Sequence, residues 1–273
     1  MEENKNLYQN SSNPNRRLGI AMIKYSLSLI SFSFVLFLLM ERLNLPLALA
    51  ALSSLSFWTG LGILVFKKVG WGRGKVYYLT LVIYLLYHSF LYSFVLGILE
   101  PGGLKQASDQ VIGSGFGFEV PTPPVYFPLW VSQAFAFWVI FKGYEAVVVP
   151  FTLFIGAVLG NLLGLNVSAI FKLYNVTETK AARSIITLPA LGIVSGASCC
   201  LALPSIVLYS VALSFPILSP SILALLSSST YFSLVYYGLP IISSVALYLN
   251  LRVLSKATRA CELGKSAFKS TLS

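Results

Sequence analysis

The sequence predicts an all-α fold, a polytopic integral membrane bundle of six to seven transmembrane helices. Three observations predict it. Only 10% of the residues are charged and 56% are hydrophobic, where a soluble domain carries about 25% charged residues. Mean hydropathy is +0.79. Nearly every stretch between the charge clusters reaches the roughly 20 apolar residues that carry a helix across ~30 Å of hydrocarbon. A transmembrane β-barrel would instead show short alternating segments with a polar lumen face, and no part of this chain alternates that way.

In chain order, residues 1–17 form a polar tail, read as cytoplasmic from Lys5, Arg16 and Arg17. The first span is 18–40, too long for a signal-peptide core and so read as a retained anchor. Ala48 and Ala50 imitate a cleavage site, but they follow Glu41 and Arg42. Lys24 can snorkel to the near interface. The second span is 47–66. The loop 67–75, with Lys67, Lys68, Arg73 and Lys75 and no acid, belongs inside by the Lys/Arg rule. The third span is 76–99. Loop 100–128 holds Glu100, Asp109 and Glu119 against Lys105, which places it outside. Its glycines and Pro121-Thr122-Pro123-Pro124 favour irregular or extended backbone.

Residues 125–171 are apolar apart from Lys142 and Glu145 and allow two readings. Two spans give seven crossings and an external C-terminus. One full span plus a half-inserted or interfacial helix gives six and keeps every basic loop inside. Trp130, Phe135, Phe137 and Trp138 fit the interfacial element, because aromatic rings favour headgroup depth. The loop 172–183, with Lys172, Lys180 and Arg183 against Glu178, favours the same reading. Asn175-Val176-Thr177 opposes it, since a glycan there requires an external loop; Asn10-Ser11-Ser12 is a similar match. Further spans are 184–213 and 217–249. The transmembrane domain is thus 18–251, followed by a basic cytoplasmic tail, 252–273, with Arg252, Lys256, Arg259, Lys265 and Lys269 against Glu262.

The net charge of +10 flanks the membrane and forms no basic face on a globular domain, which excludes nucleic acid as a partner. Three cysteines make no disulfide framework. Walker A, strand–Gly-turn–helix and H-E-x-x-H patterns are absent from the sequence, and the cofactor, if there is one, is unknown from the sequence.

A few positions inside the apolar runs carry the chemistry. Gly192, Gly196 and Cys200 share one helix face at i, i+4, i+8, so a neighbouring helix approaches closely there. Pro204 breaks the bond to the carbonyl of Cys200. Cys199 and Cys200 are candidate soft-metal ligands, since thiolates favour Cu(I) and similar ions; the structural alternative is a small apolar residue where helices pack tightly. Gly156, Gly160 and Gly164 form a second stripe, with Asn161 and Asn166 nearby, and read as helix packing. Lys142 and Glu145 are embedded charges if the segment is deep, or an ordinary surface pair at i, i+3. His88, the only histidine, shares a face with Tyr84 and Tyr92, a hydrogen-bonding set suited to a quinone headgroup or a plain aromatic packing stripe.

Ser198-Cys199-Cys200 followed by Pro204 resembles the first span of bacterial mercuric-ion transport proteins over about a dozen residues, without a second cysteine pair. In overall style, with low charge, Tyr/Ser-rich spans and short basic loops, the chain resembles hydrophobic multi-pass membrane proteins of thermoacidophilic archaea, some of them membrane partners of respiratory cytochromes. That resemblance implies a non-catalytic membrane subunit or anchor of an electron-transfer or transport complex, or a homo-oligomer in the bilayer. A soft-metal transporter or sensor and a quinone-interacting protein are the alternatives, and the reading leans away from an enzyme.

Overall fold

The computed structural model describes residues 14–40, 46–99, 111–115, 123–134, 136–141, 144–176, 208, 211–212, 214–215 and 217–271. Three long helices come first: α1 (Pro14–Leu39), α2 (Pro46–Val69) and α3 (Lys75–Leu99). Proline opens both α1 and α2, where its missing N–H is not needed. Lys67 and Lys68 in the last turn of α2 complement the helix dipole. Gly70, at φ +82°, then ends the helix, its N–H bonding the Phe66 carbonyl at 2.8 Å.

Between α3 and the next long helix the backbone is mixed. Strand β1 (Val111–Gly115) and a 3-10 turn (Pro124–Tyr126) lead to the short helix α4 (Phe127–Gln133), then strands β2 (Ala136–Phe141) and β3 (Tyr144–Val148). The strands form one sheet in the order β1-β2-β3. Helix α5 (Pro150–Val176) follows for 27 residues. Among the described residues of 125–171 there is one long helix, α5, preceded by the end of the 3-10 turn, α4 and the strands β2 and β3, a departure from a purely helical reading. Phe137-Trp138-Val139-Ile140-Phe141 in β2, with Tyr144, Val147 and Val148 in β3, are aromatic and β-branched residues that suit pleated backbone. A short apolar run of this kind does not reveal its period.

The C-terminal part contains α6 (Ser219–Leu226), α7 (Ser229–Ser233), a π-helical turn (Leu234–Gly238) and α8 (Leu239–Thr271). Ser228 caps α7 by accepting the Tyr231 N–H at 3.2 Å. The wide π turn precedes Pro240, whose ring would clash with the carbonyl one α-turn back. Helix α8 runs 33 residues, through the boundary at 251–252 and along the basic segment.

Among the described residues, four helical stretches are long and apolar enough to cross a membrane: Leu18–Leu39, Ala48–Val69, Pro150–Asn175 and Leu234–Ala260. Helix α3 is 25 residues long and has no Asp, Glu, Lys or Arg after Lys75. Burial on these helices is inverted relative to a water-soluble protein. Ser26, Ser33 and Ser53 are fully buried, while Leu27, Phe32 and Leu55 are 52%, 51% and 66% exposed. Polar groups inside and large apolar side chains outside is the distribution that lipid selects.

The chain divides into two compact units. One comprises residues 1–70, 111–139 and 147–154. In it α1 and α2 form an antiparallel hairpin whose seam repeats every seven residues on both helices. Lys67 Nζ donates to the Gly19 carbonyl and Ser26 Oγ to that of Gly60. Ser33 and Ser53 join through their hydroxyls at 3.0 Å, with Ser53 Oγ also donating to the Ser33 carbonyl at 2.8 Å. A Cβ on Gly60 would stand 2.8 Å from the Ser26 carbonyl oxygen, so the backbones meet only because that residue is glycine. Helix α4 packs on the far end of this hairpin: Phe37, Met40, Ala50, Phe127, Trp130, Val131 and Ala134 form one buried cluster. Trp58 Nε1 donates to the Val131 carbonyl at 3.0 Å, tying α2 to α4. Trp130 is buried at 1% exposure, its ring 4.9 Å from that of Phe37. The second unit comprises residues 71–110, 140–146 and 155–273.

Candidate functional site

Within the second unit, most of the singled-out residues that are described meet along α5. The small-residue stripe of α5 receives the aromatic stripe of α3. A Cβ on Gly156 would lie 3.0 Å from His88 Cδ2, and one on Gly160 would lie 3.0 Å from both Leu81 and Tyr84. One on Gly164 would lie 2.8 Å from the Tyr77 ring and 3.1 Å from the Tyr77 carbonyl oxygen. The glycine face and the His/Tyr face, two separate readings in the sequence, are thus two sides of one contact. The order of contacts, 77 with 164 and 88 with 156, makes α3 and α5 antiparallel. The Tyr84 and His88 rings stack at 5.8 Å and 21°. Tyr77, Leu81, Tyr84 and His88 repeat at i, i+4, i+7 and i+11, one helix face.

Four polar side chains here, Tyr77, Asn161, Asn166 and Asn250, bond across the helices. Tyr77 Oη donates to Asn161 Oδ1 at 2.6 Å, linking α3 to α5. Asn166 Nδ2 donates to the Leu162 carbonyl at 2.7 Å in its own helix and to the Leu247 carbonyl at 3.0 Å in α8. Asn166 Oδ1 in turn accepts from Asn250 Nδ2 at 3.0 Å. Both NH₂ donors and one acceptor site of Asn166 are therefore used. Asn161 and Asn166 are fully buried. Further along, Leu173 and Leu254 form a buried contact flanked by Ala169, Ile170 and Ala257. Residue 166 pairs with 247 and 250, and 173 with 254, so α5 and α8 run parallel.

Four hydroxyls on α8 are satisfied locally. Ser243, Ser244, Ser255 and Thr258 donate to the carbonyls of Leu239, Pro240, Leu251 and Leu254, at 2.7–2.9 Å. Such bonding to the preceding turn is the inexpensive way to keep a hydroxyl in an apolar medium. An open groove of about 740 Å³ lies elsewhere, along Gly74, Lys75, Val76, Tyr78, Leu79 and Val82, and is lined by none of the seam residues.

The remaining sequence candidates are placed as follows. Tyr92 lies in α3 and Glu145 in β3, their side chains outside the described residues. Lys142, Gly192, Gly196, Cys199 and Cys200 lie outside the described residues altogether. Asn175 is exposed near the end of α5. Among the described residues, no three His, Cys, Asp or Glu side chains gather into a metal-binding group. Asn250 and Tyr77 are the seam residues that the sequence leaves unmarked. An asparagine inside an otherwise apolar run is the available signal for Asn250, and the tyrosine density of α3 hides Tyr77.

The seam as built can hold three helices in register. Comparison with known proteins adds no relative: no protein family, curated protein or solved structure matches the chain.

Proposed function

We propose that the chain is a six-span membrane subunit or anchor, non-catalytic, with both termini cytoplasmic, that packs against an electron-transfer or transport partner in the bilayer. The carrying observation is the seam of α3, α5 and α8, where Tyr77, Asn161, Asn166 and Asn250 bond across helices. An interior arranged this way supports a scaffold.

Helix directions support the span count. A seven-span path would send α3 and the 145–171 segment the same way, whereas α3 and α5 are antiparallel. The segment between them then returns to the membrane on the side it left. A three-stranded sheet with open edges suits that side, since unpaired strand edges are not tolerated in hydrocarbon. The parallel course of α5 and α8 calls for one return crossing between them, and 184–213 is the apolar run of sufficient length. With the tail 1–17 inside, the ends of α5 and α8 carrying Lys172, Arg252, Lys256 and Arg259 are inside too, as the Lys/Arg rule requires.

The test is affinity purification from native membranes in mild detergent, with mass spectrometry of what remains bound. A stoichiometric membrane partner is the expected result. A lone monodisperse protein that moves ions or metals across proteoliposomes overturns the proposal.

A further inference from the structure

The parallel course of α5 and α8 gathers cations at one end of the pair. Leu173 meets Leu254, so Lys172 stands at the level of Arg252 and Lys256. Arg252, Lys256 and Arg259 follow at i, i+4 and i+7 and are all exposed, on the face away from buried Leu247, Leu254 and Thr258. Glu262 is the one acidic residue in the sequence of the two helices, so this end of the pair stays basic. The Arg252 guanidinium sits over the Tyr248 ring at 5.0 Å, which fixes one cation beside an aromatic side chain of the kind that seats at headgroup depth. The apolar window of the last span ends at Ala260, about 40 Å from its start at 1.5 Å per residue, so these three cations fall in its last turns, where lipid phosphates lie.

We infer that this end of the α5–α8 pair is a docking surface for anionic phospholipid headgroups, with Arg252, Lys256 and Arg259 contacting the phosphates and Lys172 reinforcing the field. The inference rests on the membrane reading above and goes beyond it by naming the lipid class and the residues that select it. Arginine supports this role through paired N–H donors that match phosphate oxygens. The surface attraction is electrostatic and weakens with salt.

The experiment reconstitutes the full chain into nanodiscs of equal phosphatidylcholine and phosphatidylglycerol and measures, by mass spectrometry, the lipids kept after extraction into mild detergent. The wild type retains phosphatidylglycerol over phosphatidylcholine, and Arg252→Gln/Lys256→Gln/Arg259→Gln loses this preference, by about fivefold per cation removed. Arg252→Lys/Arg259→Lys keeps the charge and retains most of it, which separates headgroup binding from a folding defect. An unchanged preference in the triple variant overturns the inference. So does complete displacement of phosphatidylglycerol by millimolar inorganic phosphate, which would assign the surface to a free anion. A chain that stays in the aqueous phase and never enters the nanodisc fails the membrane reading instead.

Discussion

Asn250 of α8 donates its side-chain amide to the side-chain oxygen of Asn166 in α5 at 3.0 Å, a bond between residues 84 apart in sequence. It lies beside the bond from Asn166 to the Leu247 carbonyl, so a single side chain holds two helices at one level. Interhelical bonds of this type contribute about 0.6 kcal/mol on average in membrane proteins, and up to about 1.7.

Asn166→Leu removes both links to α8, and Asn250→Leu removes one. The expected order of stability in detergent is wild type, then N250L, then N166L. A double-mutant cycle should return a coupling of about 0.6 kcal/mol between them. Equal effects of the two single variants, with no coupling, contradict the pairing.

The glycine stripe gives a graded series. In Gly164→Ala the new methyl faces the Tyr77 carbonyl oxygen at 3.1 Å as well as its ring, and backbone cannot swing aside. In Gly156→Ala it faces the edge of the His88 ring, which can turn. Stability to thermal unfolding should therefore fall further for G164A, by about 1–3 kcal/mol as overpacking usually costs. His88→Ala should rescue G156A and leave G164A unimproved.

Cysteine cross-linking tests the helix directions. Ser33→Cys/Ser53→Cys should bridge under mild oxidant, since the hydroxyls they replace are 3.0 Å apart. Leu173→Cys/Leu254→Cys should also bridge, while Leu173→Cys/Pro240→Cys, at opposite ends of a parallel pair, should not. A bridge in the last variant reverses the direction of α8.

Side of the membrane is testable at Asn175. The proposed topology puts the ends of α5 and α8 in the cytoplasm, so translation into microsomes should leave Asn175 without a glycan. An acceptor site inserted within 100–128 should gain one. A glycosidase-sensitive product dependent on Asn175 would return the topology to an external 172–183 loop.

Much of the helical framework is legible in the sequence, because length and apolarity alone determine it: α1, α2 and α3 lie where the runs 18–40, 47–66 and 76–99 stand. The strands Ala136–Phe141 and Tyr144–Val148 are not. Phe, Trp, Ile and Val in an unbroken run serve a buried helix or a strand equally well, and only partners decide. The site is half legible for a similar reason. Spacing reveals that Gly156, Gly160 and Gly164 share a face, and likewise Tyr84 and His88, but one chain does not disclose which face meets which. Asn250 escapes because a lone amide in an apolar run has no spacing to recognise.

The Asn166–Asn250 bond also sets an order of events during biosynthesis. Asn166 reaches the bilayer while its partner, 84 residues later, has yet to be made. At about 5–20 residues per second that interval is several seconds. Throughout it the amide of Asn166 lacks both acceptor and donor from α8. Arrival of the last helix closes the gap, and a protein released before Leu247 keeps only the bond from Asn166 to the Leu162 carbonyl, without either α8 partner of that amide.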